Sequence, residues 1–220
     1  HYGKELLERR LDDARKVLGE FLDELKEEIR EYGIKCKRIH ESGPVHKVIA
    51  QVSRTTDVVV VARETNFEFE TSHKPGHSLF ELLEITSRMT LVVPDKPRAI
   101  KRIVVAHDLS PSCARVLYML VHLNPFPGAE IIVVHADDEG MADKEDFQNI
   151  SGYLQEHGFQ AEVVVRNLRP DKAILEVADK RDADAIVMGA YDVGKVRRVL
   201  FGSTAQRILD RATIPLVFGT

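Results

Sequence analysis

The chain has 220 residues, of which 44% are hydrophobic and 30% are charged, a composition typical of a globular protein. Its formal net charge of -4 argues against a general nucleic-acid-binding protein and gives no polybasic membrane signal. No apolar stretch approaches the roughly 20 residues that span a bilayer. The two cysteines, Cys36 and Cys113, follow neither a disulfide nor a zinc-binding spacing. These features predict a cytoplasmic protein that binds neither nucleic acid nor membranes.

The first half of the chain begins with a long amphipathic segment, followed by shorter apolar ones. Apolar residues recur at helical spacing from Lys4 until Gly33 stops the pattern, which predicts one long helix, with a break near Gly19 as the alternative. The four consecutive valines after Asp57 are too apolar for a half-exposed strand and indicate a buried parallel one. The predicted elements of this half are a helix at 4–32, a strand at 34–40, a helix at 43–52, a strand at 57–62, a helix at 78–88 and a strand at 89–93.

After a proline-bearing joint at 94–97 the pattern restarts and alternates regularly between strands and helices. Ser110-Pro111 and Pro170 mark helix starts, since proline suits the first helical turn. Strands that alternate with helices in this way predict a parallel, doubly wound α/β sheet with right-handed crossovers. The predicted strands are 100–106, 130–136, 160–166, 183–189 and 214–218, and the predicted helices are 110–123, 144–157, 170–181 and 202–209.

The two halves resemble each other, which predicts two copies of one fold at residues 1–95 and 98–220. Gly43-Pro44 and the valine run correspond to Arg169-Pro170 and the strand that ends at Gly189. The first copy has no counterpart of the first strand, first helix and second strand of the second copy. In a sheet of order 3-2-1-4-5 those strands are the centre, so the first half cannot close its sheet alone. We therefore expect about 40 further residues ahead of His1, by comparison with the second half.

Ligands of doubly wound sheets bind at the carboxyl ends of the strands, where the strand order reverses. In this chain that crevice lies between the strand that ends at Ala106 and the strand that ends at Met188-Gly189. Asp108 follows the first strand, and its carboxylate can accept a hydrogen bond from an adenine amino group or a ribose hydroxyl. It can equally form a turn with Ser110 or cap the next helix.

A glycine-punctuated loop follows Gly189 and leads to the helix start Gly202-Ser203-Thr204. Glycines allow close backbone approach, and the free N–H groups of a first helical turn bind anions, so a phosphate fits here. The alternative is that Gly189 only ends a strand and Ser203 only caps a helix. Elsewhere, His73 and His77 have no third His or Cys nearby, so a solvated loop is favoured there over a metal site.

Several motifs together resemble the universal stress protein family in its tandem form. They are the strand-end segment Ile103-Val104-Val105-Ala106-His107-Asp108-Leu109-Ser110, then Met188-Gly189, Gly202-Ser203-Thr204 and Ile214-Pro215-Leu216-Val217. The resemblance covers residues 98–220 throughout and residues 1–95 as a degenerate partial copy. It implies a flavodoxin-like α/β fold, two domains packed as an intrachain pseudo-dimer, and antiparallel pairing of strand 91–93 with strand 216–218.

The resemblance also implies an adenine-nucleotide site in the second domain, for ATP with or without Mg²⁺, and a stress-response or regulatory role. Any ATP hydrolysis is expected to be slow, because no residue is an evident base for an attacking water. No catalytic residue and no protein-held metal are predicted. The implied binding residues are Ala106, Asp108, Ala136, Met188, Gly189, Asp192, Gly202, Ser203 and Thr204.

One position departs from the family's nucleotide-binding pattern, in which a first glycine, a second glycine and a final Gly-Ser or Gly-Thr follow at fixed spacing. Asp192 stands where the second glycine belongs. Its carboxylate would repel a triphosphate by about 1 kcal/mol or more per close charge pair, unless Mg²⁺ or Lys195 offsets it. In the first half Ala62 replaces the first glycine, so that copy is expected to bind no nucleotide.

Two other classes of function stay open. The first is a nucleotide-free universal stress protein that acts by contact with an unknown protein partner, with a homodimer as a further option. The second is a receiver-like signalling domain, which is also doubly wound. A receiver needs paired acids after the first strand and an Asp after the third, whereas this chain has His107-Asp108 and Asn167. We therefore discount the second.

Overall fold

The computed structural model describes residues 2–39, 41, 43–63, 77–137, 144–190 and 202–219. It divides the chain into two compact units, residues 1–42 and 43–220. In the first unit, helix α1 spans Tyr2–Glu31 without a break at Gly19. The helix ends in a turn at Gly33, whose φ of 72° is the left-handed conformation that glycine adopts most easily. The boundary predicted at 95–98 stays a prediction.

The strand predicted at 34–40 is wrong, because residues 34–39 are irregular. None of the described strands pairs with this segment. An alternating pattern becomes a strand only where a neighbouring strand accepts and donates its backbone hydrogen bonds. The pattern at 34–40 lacks such a neighbour in the described part of the chain.

The second unit alternates helices and strands throughout. Its elements are α2 (Val45–Val52), β1 (Val58–Ala62), α3 (His77–Ile85), β2 (Met89–Val93), β3 (Arg102–Ala106), α4 (Pro111–Leu123), β4 (Glu130–Ala136), α5 (Lys144–Glu156), β5 (Ala161–Arg166), α6 (Pro170–Lys180), β6 (Ala185–Gly189), α7 (Ser203–Arg211) and β7 (Leu216–Gly219). A 3₁₀ turn at Ser53–Thr55 follows α2. Within the described residues, no helix combines the length and the apolar character needed to cross a membrane.

The strands form one sheet in the order β1-β2-β7-β6-β3-β4-β5. From β5 to β7 all neighbours are parallel. Numbered along the chain, these five strands have the order 3-2-1-4-5, with the reversal between β3 and β6. The predicted fold class, a doubly wound α/β sheet, is confirmed.

An antiparallel seam connects the two parts of this sheet. β2 pairs with β7 through Thr90 and Phe218, Leu91 and Val217, and Val92 and Leu216. This is the pairing that the family resemblance implies, and it leaves neither strand as an open edge.

Arg63, directly after β1, reaches across this seam. Its guanidinium donates hydrogen bonds to the backbone carbonyls of Ala212 and Ile214, the second at 3.1 Å. Those carbonyls lie between α7 and β7, so a cation from the first half of the chain binds the C-terminal end of α7. A positive charge there is favourable for the helix dipole.

The core lies on both faces of the sheet, and β3 shows why. Because successive strand side chains point to opposite faces, Val104 and Ala106 pack in one cluster, which includes residues of α6 and α7. Ile103 and Val105 pack in the other, which includes residues of α4. All four are buried, so β3 is covered by helices on both sides.

Candidate functional site

A cavity of about 240 Å³ lies at the carboxyl ends of β3, β4 and β6. Eight of the nine predicted binding residues line it, namely Ala106, Asp108, Ala136, Met188, Gly189, Gly202, Ser203 and Thr204. The ninth, Asp192, lies outside the described residues. That these residues bind a nucleotide stays a prediction.

Several further residues line the cavity that the sequence did not identify as site residues. They are Cys113, Val134, Pro170, Ile174, Ala190 and Ala205. The start of α6 at Pro170 was a usable signal, since a helix that follows a parallel strand begins at the same edge of the sheet. Ile174, in the second turn of this helix, then lines the cavity.

The turn after β3 fixes Asp108 at the cavity. Its carboxylate accepts a hydrogen bond from the backbone N–H of Ser110 at 2.9 Å. Burial raises the pKa of Asp108, but hydrogen bonds with Ser110 and Cys113 outweigh it, so the pKa lies below its usual value. Asp108 is therefore ionised at neutral pH and forms the turn with Ser110 that the sequence left open.

His107 is buried beside Asp108, and its Nδ1 accepts a hydrogen bond from the backbone N–H of Leu109 at 3.1 Å. Burial lowers the pKa of His107, although Asp108 partly opposes this shift. The ring is therefore neutral with its proton on Nε2, and it lines the cavity. His135 does not line it; its Nδ1 donates to the carbonyl of His107 at 2.9 Å.

The N-terminus of α4 is capped by a side chain of the protein itself. Ser110 is the N-cap residue, and its hydroxyl oxygen accepts a hydrogen bond from the N–H of Cys113 at 3.3 Å. The Cys113 thiol lines the cavity, and burial together with the Asp108 charge raises its pKa to about 11. The thiol is therefore protonated at neutral pH and is not an activated nucleophile.

Gly189, at the end of β6, lies directly against α4. A Cβ atom added there would lie 2.7 Å from Oγ of Ser112, closer than side chains tolerate. Ser112 is fully buried, and its hydroxyl has no hydrogen-bond partner in the described part of the chain. Glycine is therefore favoured at 189 by the packing of β6 on α4, whether or not a ligand approaches it.

The N-terminus of α7 differs from that of α4, because its N-cap residue is a glycine, which has no side chain to cap the helix. Gly202 occupies the N-cap position with an extended backbone, and its N–H donates to the carbonyl of Ala190 at 3.3 Å. This bond joins the two described residues on either side of 191–201. Ser203 and Thr204 follow in the first turn and line the cavity. The first N–H groups of a helix have no partner inside the helix, so this end can bind an anion.

A buried carboxylate connects α6 and α7 beside the cavity. Asp171 is fully buried and accepts two hydrogen bonds from the guanidinium of Arg169, at 2.6 and 2.9 Å. These bonds, together with the charge of Arg207, hold the pKa of Asp171 below its usual value. Arg211 of α7 lies 3.6 Å from the same carboxylate. The first turn of α6 is therefore held to α7 by ion pairs.

Comparison with known proteins places part of the chain in a family. Residues 136–218 match the model of the universal stress protein family. A universal stress protein of Synechocystis is 22% identical over 199 residues, which cover 87% of this chain and 68% of the relative. One from Methanocaldococcus jannaschii is 29% identical over 104 residues, 44% of this chain and 59% of that protein.

A solved structure extends the likeness to nearly the whole chain. The crystal structure of a universal stress protein from Archaeoglobus fulgidus superposes with a TM-score of 0.75 at 21% sequence identity. The match covers 96% of this chain and 78% of that one. At this identity the likeness establishes the shared fold.

The strand order, and the cavity where that order reverses, define a doubly wound α/β protein of the flavodoxin-like type. The family match and these relatives support a UspA-like protein, and residues 136–218 are the part of the chain that matches the universal stress protein family.

Proposed function

We propose that this chain binds an adenine nucleotide, with ATP as the expected ligand, in the cavity between β3 and β6. The observation that carries the proposal is that an uncapped helix N-terminus and an ionised carboxylate line the same cavity. The first recognises an anion and the second accepts hydrogen bonds from amino or hydroxyl groups. A nucleotide carries both kinds of group at its two ends.

The orientation of the nucleotide follows from the positions of these groups. The base and ribose occupy the cavity beside Asp108, and the phosphates meet the first turn of α7 at Ser203 and Thr204. The volume of about 240 Å³ is just below the roughly 300–1,000 Å³ of most small-molecule sites. It therefore suits a nucleoside better than a complete triphosphate, whose outer phosphates extend to the rim.

Any Mg²⁺ would be bound mainly through the phosphates of the nucleotide. Within the described residues, no group of three or more His, Cys, Asp or Glu side chains can hold a metal ion. Mg²⁺ is commonly bound through substrate phosphates and a few carboxylates, and Asp192 is the candidate carboxylate. The role is stress-responsive regulation, with slow ATP hydrolysis at most.

The first half is proposed to be a partial copy that binds no nucleotide and serves as the partner of an intrachain pseudo-dimer. The element order helix, strand, helix, strand occurs twice, as α2-β1-α3-β2 and as α6-β6-α7-β7. Where the second half has Gly189-Ala190 at the end of its strand, the first has Ala62-Arg63. Arg63 is used to bind the C-terminal end of α7, which supports a structural role for this copy.

A nucleotide-free function through protein contacts is the second candidate. It is favoured by the close approach of Gly189 to Ser112, because packing alone explains a glycine at this position and no ligand is needed. The Asp192 charge in the predicted phosphate loop favours it further.

Calorimetric titration of the whole chain with ATP, AMP and Mg²⁺ distinguishes the two candidates. We expect wild type to bind ATP, Ser203→Ala to bind it about tenfold more weakly because a hydrogen bond to a charged phosphate is lost, and Gly202→Val not to bind it. Gly152→Ala is the matched glycine control, because a Cβ there meets nothing within 4 Å. Binding that occurs only in Asp192→Gly would establish the nucleotide-free candidate.

A further inference from the structure

Two histidines at the opposite end of α4 from the cavity form a pair that the nucleotide proposal does not use. His122 lies in the last turn of α4, and His157 directly follows α5. Their ring centroids are 5.8 Å apart. Since α4 has 13 residues, each rising about 1.5 Å, this pair lies nearly a full helix length from the cavity.

Each histidine is oriented by the same local arrangement. In both cases a tyrosine precedes the histidine by four residues, and Nδ1 of the histidine bonds to the backbone carbonyl of that tyrosine. The distances are 2.9 Å from His122 to Tyr118 and 2.8 Å from His157 to Tyr153. The tyrosine rings pack against the imidazoles, with centroids 3.9 and 4.5 Å apart.

These bonds determine which ring nitrogen carries the proton. A carbonyl oxygen can only accept, so Nδ1 must donate in both rings, and in the neutral imidazole Nε2 then carries a free lone pair. Neither Nε2 has a hydrogen-bond partner in the part of the chain that the structure describes. Both side chains are exposed to solvent. Histidines that bind metals commonly donate their other N–H to a backbone carbonyl in this way.

The spacing of the two rings suits a shared metal ion. With a metal about 2.1 Å from each Nε2, two rings on one tetrahedral ion have centroids roughly 5 Å apart, and wider angles increase that distance. The observed 5.8 Å needs only a small side-chain adjustment. We propose that His122 and His157 form a two-histidine site for a divalent transition-metal ion of the Zn²⁺, Cu²⁺ and Ni²⁺ class.

The site is open and links two helices. Imidazole is a preferred ligand of Zn²⁺, Cu²⁺ and Ni²⁺, whereas Mg²⁺ and Ca²⁺ prefer oxygen. Because the described residues offer no third His, Cys, Asp or Glu at this position, water fills the remaining coordination positions. A bound ion would join the C-terminal ends of α4 and α5, and would bind independently of the nucleotide cavity.

Titration of the whole chain with Zn²⁺ by calorimetry, and with Cu²⁺ by electron paramagnetic resonance, tests this proposal. We expect a single ion to be bound by two nitrogens at this pair, with affinity at least tenfold lower in His122→Gln and in His157→Gln. Each variant should retain a one-nitrogen Cu²⁺ spectrum. The matched control is His73→Gln/His77→Gln, a second pair of histidines, four residues apart in the sequence, whose loss should leave this ion bound.

The proposal is overturned if either single variant binds Zn²⁺ within twofold of wild type, or if the control pair abolishes binding instead. A measurement on the wild-type protein tests the site without relying on variants that fail to fold. Substoichiometric Cu²⁺ should broaden the ring proton NMR signals of His122 and His157 before those of the remaining histidines. Broadening that begins elsewhere in the chain contradicts the site.

Discussion

Helices α4 and α7 both begin at the cavity, but their N-termini are satisfied in different ways. At α4 the hydroxyl of Ser110 caps the helix and the N–H of Ser110 is bound by Asp108. At α7 the N-cap is Gly202, which has no side chain to cap the helix. A helix N-terminus carries a partial positive charge, which α4 satisfies with its N-cap side chain and which α7 cannot satisfy in that way. A serine after a strand is therefore not by itself a sign of a ligand site.

The glycines at the ends of β6 and β7 pack against α4, the helix whose N-terminus is capped by its own serine. Gly189 and Gly219 are neighbours in the sheet, and a Cβ on them would meet Ser112 and Val116, which are four residues apart on α4. Helix α4 therefore lies on a flat patch made by two glycines, and substitutions there test packing rather than binding.

The largest effect is expected for Gly219→Ala. The added Cβ would lie 2.5 Å from a methyl carbon of Val116 and 3.0 Å from its Cα, so backbone must move. Overpacking of this kind costs about 3 kcal/mol of unfolding free energy, measured by urea denaturation. Gly152→Ala, in the open middle of α5, should instead gain about 0.5–1 kcal/mol. A loss under about 1 kcal/mol at 219 would show that α4 is not closely packed there.

The next effect is expected for Gly189→Ala without nucleotide. Its Cβ would meet the hydroxyl of Ser112, which can rotate away, so the cost should be about 1–2 kcal/mol. Ser112→Ala in the same chain removes the closest atom and should recover part of the loss. A double-mutant cycle with four denaturation curves gives the coupling. Neutral behaviour of Gly189→Ala would mean that this glycine serves a ligand and not α4.

Variants of Ser110 and Ser203 test helix capping and ligand binding separately. Ser110→Ala removes the cap of α4 and should cost about 1 kcal/mol of stability. Ser203→Ala removes no cap and should change stability by less than about 0.5 kcal/mol, while it weakens nucleotide binding. Thermal unfolding of both variants without ligand measures the difference. Equal losses would remove the distinction between α4 and α7.

The smallest effect concerns pH. The pKa of Asp108 is lower in the folded chain than in the unfolded one, because hydrogen bonds from the turn outweigh its burial. Its contribution to stability is therefore present at neutral pH and is lost as the pH falls through about 4 toward the folded pKa. Between pH 7 and pH 3 the denaturation midpoint of the wild-type protein should fall. In Asp108→Asn this fall should be only slightly smaller, since the side chain is exposed. An unchanged drop would show that the turn does not depend on the charge.

The sequence predicted elements best where local pattern and tertiary environment agree. The strands at 89–93 and 130–136 have the predicted bounds, because their apolar runs lie inside the sheet. The valine run of β1 was predicted to be buried, and this is wrong: β1 has only one neighbour in the described sheet, and Val60 is 60% exposed. The strand at 34–40 failed because its pattern needed a neighbour that the described sheet does not supply. Strand pairing is a long-range property that alternation alone cannot determine.

The candidate site was predictable to a similar degree. The topology of a doubly wound sheet was enough to bring Ala106, Asp108 and Gly189 to one cavity. The packing role of Gly189 was not predictable from the sequence, because it depends on how α4 lies across β6. Cys113 and Ile174 were missed for the same reason, since they reach the cavity from helices whose rotation the sequence pattern does not determine.

The antiparallel seam has a consequence for how copies of this chain assemble. β2 and β7 are distant in sequence and are joined through three residue pairs. The same pairs can form, in the same register, between β2 of one molecule and β7 of another, so an exchange loses no hydrogen bond of the seam. When the protein is refolded at high concentration, we therefore expect domain-swapped dimers held by the bonds that close the monomer.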